Sequence, residues 1–252
     1  DPLLGKSGIG HTRWATHGEP SVNNAHPHMT AEVAVVHNGI IENFQELREY
    51  LQKRGIQHNT DTDTETIALL TQAMIEDGHE PIEAAKKTID KLTGAFALCF
   101  LFEGHNDLMV IARKGSPLAI GIGKGEMFVG SDAITFSPMT NKISYLEEGD
   151  FAVLTRANVQ VWDHSGALVE REIKTINTQN TQVQKDGYQH FMEKEIHEQP
   201  RVVSLALEYY FDPNTGKITL PDGIDISFND FEQIYLVACG TAFYACHVAK
   251  YW

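Results

Sequence analysis

The stretch Val33-Ala34-Val35-Val36-His37-Asn38-Gly39-Ile40-Ile41 (VAVVHNGII) carries the clearest fold signal in this 252-residue chain. Apolar runs flank an Asn-Gly pair that is typical of a tight hairpin turn, so the pattern predicts strand, turn, strand. Directly after it, residues 42–54 carry apolar side chains at helical spacing, and Gly55 stands where a helix C-cap belongs. The stretch therefore predicts a sheet element that leads into a helix.

Further helices and strands are predicted downstream of this stretch. One helix is predicted to begin near Thr62–Asp63 and another to cover residues 82–92, because both segments repeat apolar residues at helical spacing. Short apolar runs then follow at 96–102, 108–112, 118–122, 127–129 and 151–154. Runs separated by Gly, Asn, Asp and Ser are typical of antiparallel strands. Residues 1–174 are therefore predicted to form an α+β domain with helices layered on a sheet.

Composition excludes several classes of partner. The formal net charge of −14 argues against nucleic acid or an anionic membrane surface, and no apolar segment is long enough to span a bilayer. The three cysteines, Cys99, Cys239 and Cys246, show no metal-like spacing, a usage typical of a reducing cytoplasm. We expect a cytoplasmic protein that needs no cofactor.

Candidate site residues concentrate near the start of the chain. Arg13 offers a permanently charged fork that suits a carboxylate, although a lone Arg in a polar loop is more often a surface charge. Asn38 offers a side-chain amide and Gly39 an unobstructed backbone N–H, the groups from which oxyanion holes are made. Asp63 lies where a helix cap is expected. Arg13, Asn38 and Gly39 predict a site that binds a carboxylate and stabilises an oxyanion.

Two other motifs favour structural interpretations. The five histidines at the start of the chain could suggest a metal site, but no Cys or Asp accompanies them at ligand spacing and no HExxH occurs, so a structural role is predicted. These residues are His11, His17, His26, His28 and His37. The glycine-rich segment 121–125 (GIGKG) lacks the ending of a phosphate-binding loop and lies between two predicted strands, so a hairpin turn is predicted there.

The last third of the chain predicts a second domain. Residues 175–187 are polar and unperiodic, as expected of a linker between residues 1–174 and 188–252. Segment 188–210 is predicted to be helical and to be kinked or divided at Pro200, with a turn at 212–216. A buried strand is predicted at 234–238, followed by the loop Cys239-Gly240-Thr241 and a helix from Phe243. Backbone N–H groups and a Thr hydroxyl at such a helix start suit a phosphorylated ligand.

Two blocks, HTRWATHGEP at 11–20 and HNGIIEN at 37–43, closely resemble the glutaminase domain of the glutamine–fructose-6-phosphate aminotransferase family. Segment 193–200 (EKEIHEQP) and the Cys239-Gly240-Thr241 loop resemble later parts of the same family, so the resemblance covers nearly the whole chain. It departs at Ala242, where the family commonly has Ser, and at Asp1, where the family has a nucleophilic cysteine.

The resemblance implies the fold and the role of each site residue. The implied fold is an incomplete αββα sandwich of the N-terminal-nucleophile hydrolases, followed by the first βα unit of a doubly wound α/β sugar isomerase domain. The implied roles are Arg13, Thr16 and His17 for the glutamine carboxylate side of the pocket, Asp63 for its amino group, Asn38 and Gly39 for the oxyanion, Trp14 for the ammonia path, and Cys239, Gly240 and Thr241 for the sugar phosphate.

The resemblance also implies an activity. Members hydrolyse glutamine and pass the ammonia to fructose 6-phosphate to form glucosamine 6-phosphate, and a homo-oligomer, a dimer, is expected of the intact enzyme. Because Cys99 lies in a predicted core strand, it is a poor nucleophile, and residues 1–252 are interpreted as a fragment without activity of its own. The alternatives are another glutaminase-containing enzyme, such as amidophosphoribosyltransferase, or a non-catalytic glutamine-binding module.

Overall fold

The computed structural model of the chain describes residues 5–136, 138–176, 185–212, 215–218, 220, 226–227 and 230–251. The chain divides into two compact units, residues 1–183 and 184–252. Most of the predicted linker, residues 177–184, lies outside the described residues. The domain boundaries at 174 and 188 therefore stay predictions.

A seven-stranded antiparallel sheet forms the centre of the first unit. Its strands, in spatial order, are β1 (His28–Met29), β2 (Val33–Ile41), β3 (Gly94–Phe102), β4 (Met109–Lys114), β8 (Phe151–Leu154), β9 (Val159–Trp162) and β10 (Leu168–Val169). The strands predicted at 96–102, 108–112 and 151–154 are confirmed as β3, β4 and β8. Strands β1, β9 and β10 were not predicted; β1 and β10 contain two residues each, too short for a strand pattern to show in the sequence.

A second antiparallel sheet has four strands, which in spatial order are β11 (Ile173–Thr175), β7 (Lys142–Tyr145), β5 (Ala119–Ile122) and β6 (Met127–Gly130). The hairpin predicted at 121–125 is confirmed, because β5 and β6 pair on either side of it. Its turn is closed by a hydrogen bond from the Gly123 N–H to the Glu126 carbonyl at 3.0 Å. A 3₁₀ helix, Ala133–Phe136, follows β6.

Three helices, α1 (Phe44–Lys53), α2 (Asp63–Glu76) and α3 (Pro81–Ile89), confirm the helices predicted in the first unit. Helix α1 ends as predicted, with Gly55 in a left-handed conformation and the Ile56 N–H bonded to the Leu51 carbonyl at 3.0 Å. Helix α2 begins after Thr62, whose hydroxyl accepts a hydrogen bond from the Glu65 N–H. Both boundaries follow from local capping chemistry.

The layers of the first unit are helices, large sheet and small sheet. One face of the large sheet packs on the helices through residues such as Val35, Leu98 and Phe100. The opposite face, with Cys99 and Ile111, packs on the small sheet. Among the described residues, only the 3₁₀ helix lies on the outer face of the small sheet. Three layers of the predicted αββα sandwich are therefore present, and the fourth is represented by one turn.

The predicted turn at Asn38-Gly39 is wrong. Strand β2 runs unbroken through both residues, and Gly39 pairs with Phe96 of β3. Gly39 has a φ of +130°, and a Cβ at this position would lie 2.0 Å from the main-chain oxygen of Ala95. Glycine is needed here for a close approach of two strands and not for a reversal of the chain.

The second unit contains helix α4 (Phe191–Tyr210), the short pair β12 (Phe211–Asp212) and β13 (Lys217–Ile218), and helix α5 (Gly240–Ala249). Helix α4 continues through Pro200, so the expected division there does not occur. The predicted turn lies between β12 and β13, and its residues 213–214 are outside the described residues. No helix in the described part of the chain combines the length and apolarity needed to cross a membrane.

The predicted buried strand at 234–238 is wrong. These residues form no strand in this structure, and Tyr235 and Val237 are 77% and 91% exposed. A buried parallel strand takes its hydrogen bonds from neighbouring strands, and the described residues of the second unit provide none for it. The helix predicted from Phe243 is confirmed as α5, which begins three residues earlier. The βα unit is thus represented by its helix alone.

Candidate active site

One cavity of about 230 Å³ beside the end of β2 brings together all seven site residues predicted in the first unit. We name it the arginine pocket. The predicted residues that line it are Arg13, Trp14, Thr16, His17, Asn38, Gly39 and Asp63, and the others are His11, His26, His37, Ile40, Thr62 and Thr64. The sequence segments 11–17, 37–40 and 62–64 therefore meet at one place.

The Arg13 guanidinium organises the loop that precedes β1. It donates to the carbonyl oxygens of Glu19 at 2.9 Å, His17 at 2.8 Å and Gly18 at 3.2 Å. The Arg13 backbone has a φ of +50°, a left-handed conformation that is uncommon for a residue with a side chain. A guanidinium carries five N–H donors, so these three bonds leave donors for a carboxylate in the cavity.

Asp63 is the last of the seven predicted residues along the sequence and lies in the first turn of α2. Its carboxylate accepts a hydrogen bond from the Ile41 main-chain N–H at 2.8 Å, and the residue is only 3% exposed. The helix N-terminus also stabilises a negative charge at this position. The pocket thus holds a permanent cation and a buried carboxylate, each fixed by main-chain groups.

Asn38 and Gly39 follow each other on β2. Strand alternation places the Asn38 side chain on the face opposite the buried His37 ring. The Asn38 Oδ1 atom lies 2.6 Å from His11 Nε2. Gly39 exposes its backbone to the pocket without a side chain. A side-chain amide and a bare stretch of backbone therefore line the same wall of the pocket.

Trp14, Thr16 and His17 complete the loop side of the pocket. The Trp14 side chain is 87% exposed. Thr16 is exposed, and the His17 ring packs edge-on against Phe44 at 5.2 Å. The roles predicted for these three residues, including the ammonia path at Trp14, stay predictions.

Hydrogen bonds between histidine rings and threonine hydroxyls connect the residues that line the pocket with residues next to it. The Thr64 hydroxyl lies 2.9 Å from His26 Nε2 and 3.0 Å from His37 Nδ1. The Thr62 hydroxyl lies 2.9 Å from His28 Nε2. The sequence patterns assigned no role in the site to His26, His28 or His37. Of these three, only His37 lies inside a motif block (residues 37–43), and that position was the signal that could have placed it at the site.

Burial keeps these histidines uncharged at neutral pH. It lowers the pKa of His26 to about 3 and that of His28 below its ordinary value. It lowers the pKa of His37 to about 4, although the neighbouring Asp63 carboxylate acts in the opposite direction. Neutral rings let the Thr64 hydroxyl donate to one of His26 and His37 and accept from the other, while His26 Nδ1 and His37 Nε2 are buried without a hydrogen-bond partner among the described residues. Among the described residues, no group of three or more His, Cys, Asp or Glu side chains is arranged so that it could hold a metal ion.

A second cavity of about 460 Å³ lies between the two sheets and shares His11, His37 and Asn38 with the arginine pocket. Cys99 of β3 lines it but is otherwise buried. Burial raises the pKa of the Cys99 thiol to about 12, so the thiol stays protonated at neutral pH. Cys99 is therefore unsuited to act as a nucleophile, as the sequence predicted.

The phosphate-binding residues predicted in the second unit lie at the start of α5. Cys239 is the N-cap residue, and Gly240 begins the helix with a φ of +60°. Cys239 and Thr241 are both largely open to solvent, with Gly240 between them. Their role as a phosphate site stays a prediction.

Comparison with known proteins places the first unit in a family. Residues 11–137 match the family described as "Glutamine amidotransferase domain". Two curated relatives, both named glutamine–fructose-6-phosphate aminotransferase (isomerizing), come from Bradyrhizobium diazoefficiens and Brucella abortus. They are 54% and 52% identical over the whole of this chain, which spans 41% of the length of each relative.

A solved structure of glutamine phosphoribosylpyrophosphate amidotransferase from B. subtilis, complexed with ADP and GMP, has a similar fold. It matches 63% of this chain and 35% of that chain, with a TM-score of 0.51 and 24% identity. The likeness confirms the fold predicted for the first unit. The family match over residues 11–137 shows that the chain belongs to the glutamine amidotransferase domain family.

Proposed function

We propose that the protein that carries this chain hydrolyses glutamine and uses the ammonia to convert fructose 6-phosphate into glucosamine 6-phosphate. Water adds to the side-chain carboxamide of glutamine, the C–N bond breaks, and glutamate and ammonia result. Ammonia then adds to the sugar carbonyl, water is lost, and isomerisation gives the amino sugar. The relatives with 54% and 52% identity bear the name of this activity.

The observation that supports glutamine hydrolysis is the set of residues that line the arginine pocket. Arg13 and Asp63 line one cavity of about 230 Å³, which suits the carboxylate and the ammonium of an amino acid. Asn38 and Gly39 line the same cavity and offer N–H donors for the oxygen of a carboxamide under attack. In this assignment Thr16 and His17 line the carboxylate side, and Trp14 borders the route by which ammonia leaves.

The attacking group is a separate question. Cys99 is excluded by its burial and raised pKa. In the proposed reaction the pocket residues bind and orient glutamine. The attacking thiol is the nucleophilic cysteine that the family resemblance implies, and it is none of the three cysteines in this sequence.

For the sugar half, we propose that Cys239, Gly240 and Thr241 contact the phosphate of fructose 6-phosphate through helix N-terminal N–H groups and the Thr241 hydroxyl. The expected context is a sugar isomerase domain in a homodimeric enzyme. A cytoplasmic location is proposed because the three cysteines form no disulfide.

The test is a pair of assays on the full-length protein. Glutamate release from glutamine, and formation of glucosamine 6-phosphate only when fructose 6-phosphate is present, are expected. Phosphoribosyl pyrophosphate as the better acceptor would favour the amidophosphoribosyltransferase alternative. Glutamine binding by calorimetry without glutamate release would instead indicate a non-catalytic glutamine-binding module.

A further inference from the structure

His11 lies between two groups of the proposed glutamine site and contacts both. Its Nδ1 atom is 2.8 Å from the main-chain nitrogen of Arg13. Its Nε2 atom is 2.6 Å from the side-chain oxygen of Asn38. One imidazole ring thus connects the residue assigned to the carboxylate with the residue assigned to the oxyanion.

These two contacts determine where the proton of a neutral ring must be. A main-chain N–H can only donate, so His11 Nδ1 accepts the bond from Arg13 and carries no hydrogen. The hydrogen of the neutral ring is then on Nε2, which donates to Asn38. Because the Asn38 oxygen accepts this bond, the Nδ2–H donors of Asn38 are the ones kept for a ligand.

The surroundings hold the ring in this orientation. His26 stacks on His11 with ring centroids 4.4 Å apart, and the Thr64 hydroxyl in turn fixes His26. The bond to His11 Nδ1 also holds the Arg13 backbone in its left-handed conformation, which is unfavourable in a residue with a Cβ. Without this acceptor, the loop that presents the guanidinium loses one of its anchors.

We propose that His11 is a positioning residue that holds Asn38 through its Nε2–H and Arg13 through its Nδ1. The inference rests on the proposed function, because it assigns Asn38 to the oxyanion and Arg13 to the glutamine carboxylate. It also predicts that the two contacts of the ring affect different kinetic parameters.

Two variants of the full-length protein separate the contacts. His11→Gln places an amide N–H near the Nε2 position and removes the acceptor for Arg13. We expect KM for glutamine to rise about tenfold and kcat to stay within about threefold. His11→Asn places an acceptor near the Nδ1 position and removes the donor to Asn38. We expect kcat to fall about tenfold to a hundredfold, less than the roughly 10²–10³-fold cost of deleting an oxyanion donor.

A double variant and a control complete the kinetic test. In an Asn38→Ala background, His11→Asn should reduce kcat by less than about twofold, because its target is already gone. The control is His105→Asn in the exposed turn after β3, which should leave kcat and KM unchanged. The proposal would be overturned if both His11 variants changed kcat and KM to the same extent. It would also be overturned if His11→Asn reduced kcat as much in the Asn38→Ala background as in the wild type.

Nitrogen-15 NMR of the imidazole decides the proposal independently of activity. The expected spectrum has a protonated Nε2 and an unprotonated Nδ1 for His11 in the wild-type protein, and a protonated Nδ1 overturns the proposal. If the wild type fails to hydrolyse glutamine, the proposed function fails, while the position of this proton still supports or overturns the hydrogen-bond assignment.

Discussion

The Asp63 carboxylate accepts a hydrogen bond from the Ile41 main-chain N–H at 2.8 Å, which joins the first turn of α2 to the last residue of β2. The bond lies at the edge of the arginine pocket, so one buried carboxylate serves the fold and, by our proposal, the ammonium group of glutamine. These two roles use different properties of the side chain. The first needs an acceptor oxygen and the second needs a negative charge.

Asp63→Asn should separate the two roles. The amide oxygen still accepts from Ile41, so the free energy of unfolding should fall by less than about 1 kcal/mol. The lost charge should raise KM for glutamine by about tenfold or more, because the ammonium group loses its counter-ion. Asp63→Ala should lose binding and about 1–3 kcal/mol of stability. Urea unfolding and glutaminase kinetics measure both quantities, and an unchanged KM in Asp63→Asn would contradict the assignment.

Helix positions could be predicted from the sequence because the signals are local. Gly55 ends α1 and Thr62 begins α2 through contacts within a few residues. The spacing of apolar residues within each helix marks its buried face. The turn assigned to Asn38-Gly39 was wrong for the complementary reason. Its local preference is overridden by pairing with β3, more than fifty residues away, whose Ala95 carbonyl leaves no room for a Cβ.

The site shows the same division between local motif and distant contact. The motif blocks led to Arg13, Asn38 and Gly39, and these residues do line one cavity. The bridge from His26 to His37 through the Thr64 hydroxyl could not be predicted, because it joins three separate segments. Likewise, an apolar run predicted a buried strand at 234–238, but apolarity alone does not supply the neighbouring strands that such a strand needs.

Gly39→Ala should be among the most destabilising single substitutions in the first unit. The added Cβ would lie 2.0 Å from the Ala95 oxygen, and the φ of +130° is itself unfavourable for alanine. We expect a loss of more than about 4 kcal/mol, or failure to fold. Gly55→Ala is the matched control, because Gly55 also has a positive φ but has open space around it, and it should lose about 1–2 kcal/mol. Equal losses in the two variants would refute the steric explanation.

Arg13→Lys should raise KM for glutamine about tenfold or more, with a smaller effect on kcat. An ammonium group cannot bind three carbonyls and also present a planar fork to a carboxylate. Arg156→Lys provides the control, since Arg156 pairs with Asp107 on the surface and should tolerate the change. Steady-state kinetics on both variants makes the comparison, and a wild-type KM in Arg13→Lys would argue against this carboxylate site.

Cys99 should resist alkylation in the folded protein. Its thiol is buried in β3 and its pKa is raised to about 12, so almost no thiolate forms at pH 8. Treatment with iodoacetamide followed by mass spectrometry should label the exposed Cys239 and leave Cys99 unlabelled until denaturant is added. Rapid labelling of Cys99 under native conditions would reopen its candidacy as a nucleophile.

Acidification should destabilise the first unit below pH 6.5, and His37 should account for part of the loss. Burial lowers the pKa of His37 from 6.5 to about 4 in the folded state. Between these values the unfolded chain binds a proton that the folded chain does not, so the free energy of unfolding decreases as the pH falls. One such proton contributes about 1.4 kcal/mol per pH unit at most. His26 and His28 act in the same direction.

The slope of stability against pH isolates the contribution of His37. His37→Asn lowers stability at every pH, but it also removes one titrating group, so its free energy of unfolding should decrease less steeply between pH 6 and 4.5 than that of the wild type. Urea unfolding at a series of pH values measures both slopes. Parallel slopes for His37→Asn and the wild type would mean that His37 already titrates normally in the folded protein, and the hydrogen-bond network through Thr64 would then have to accommodate a charged ring.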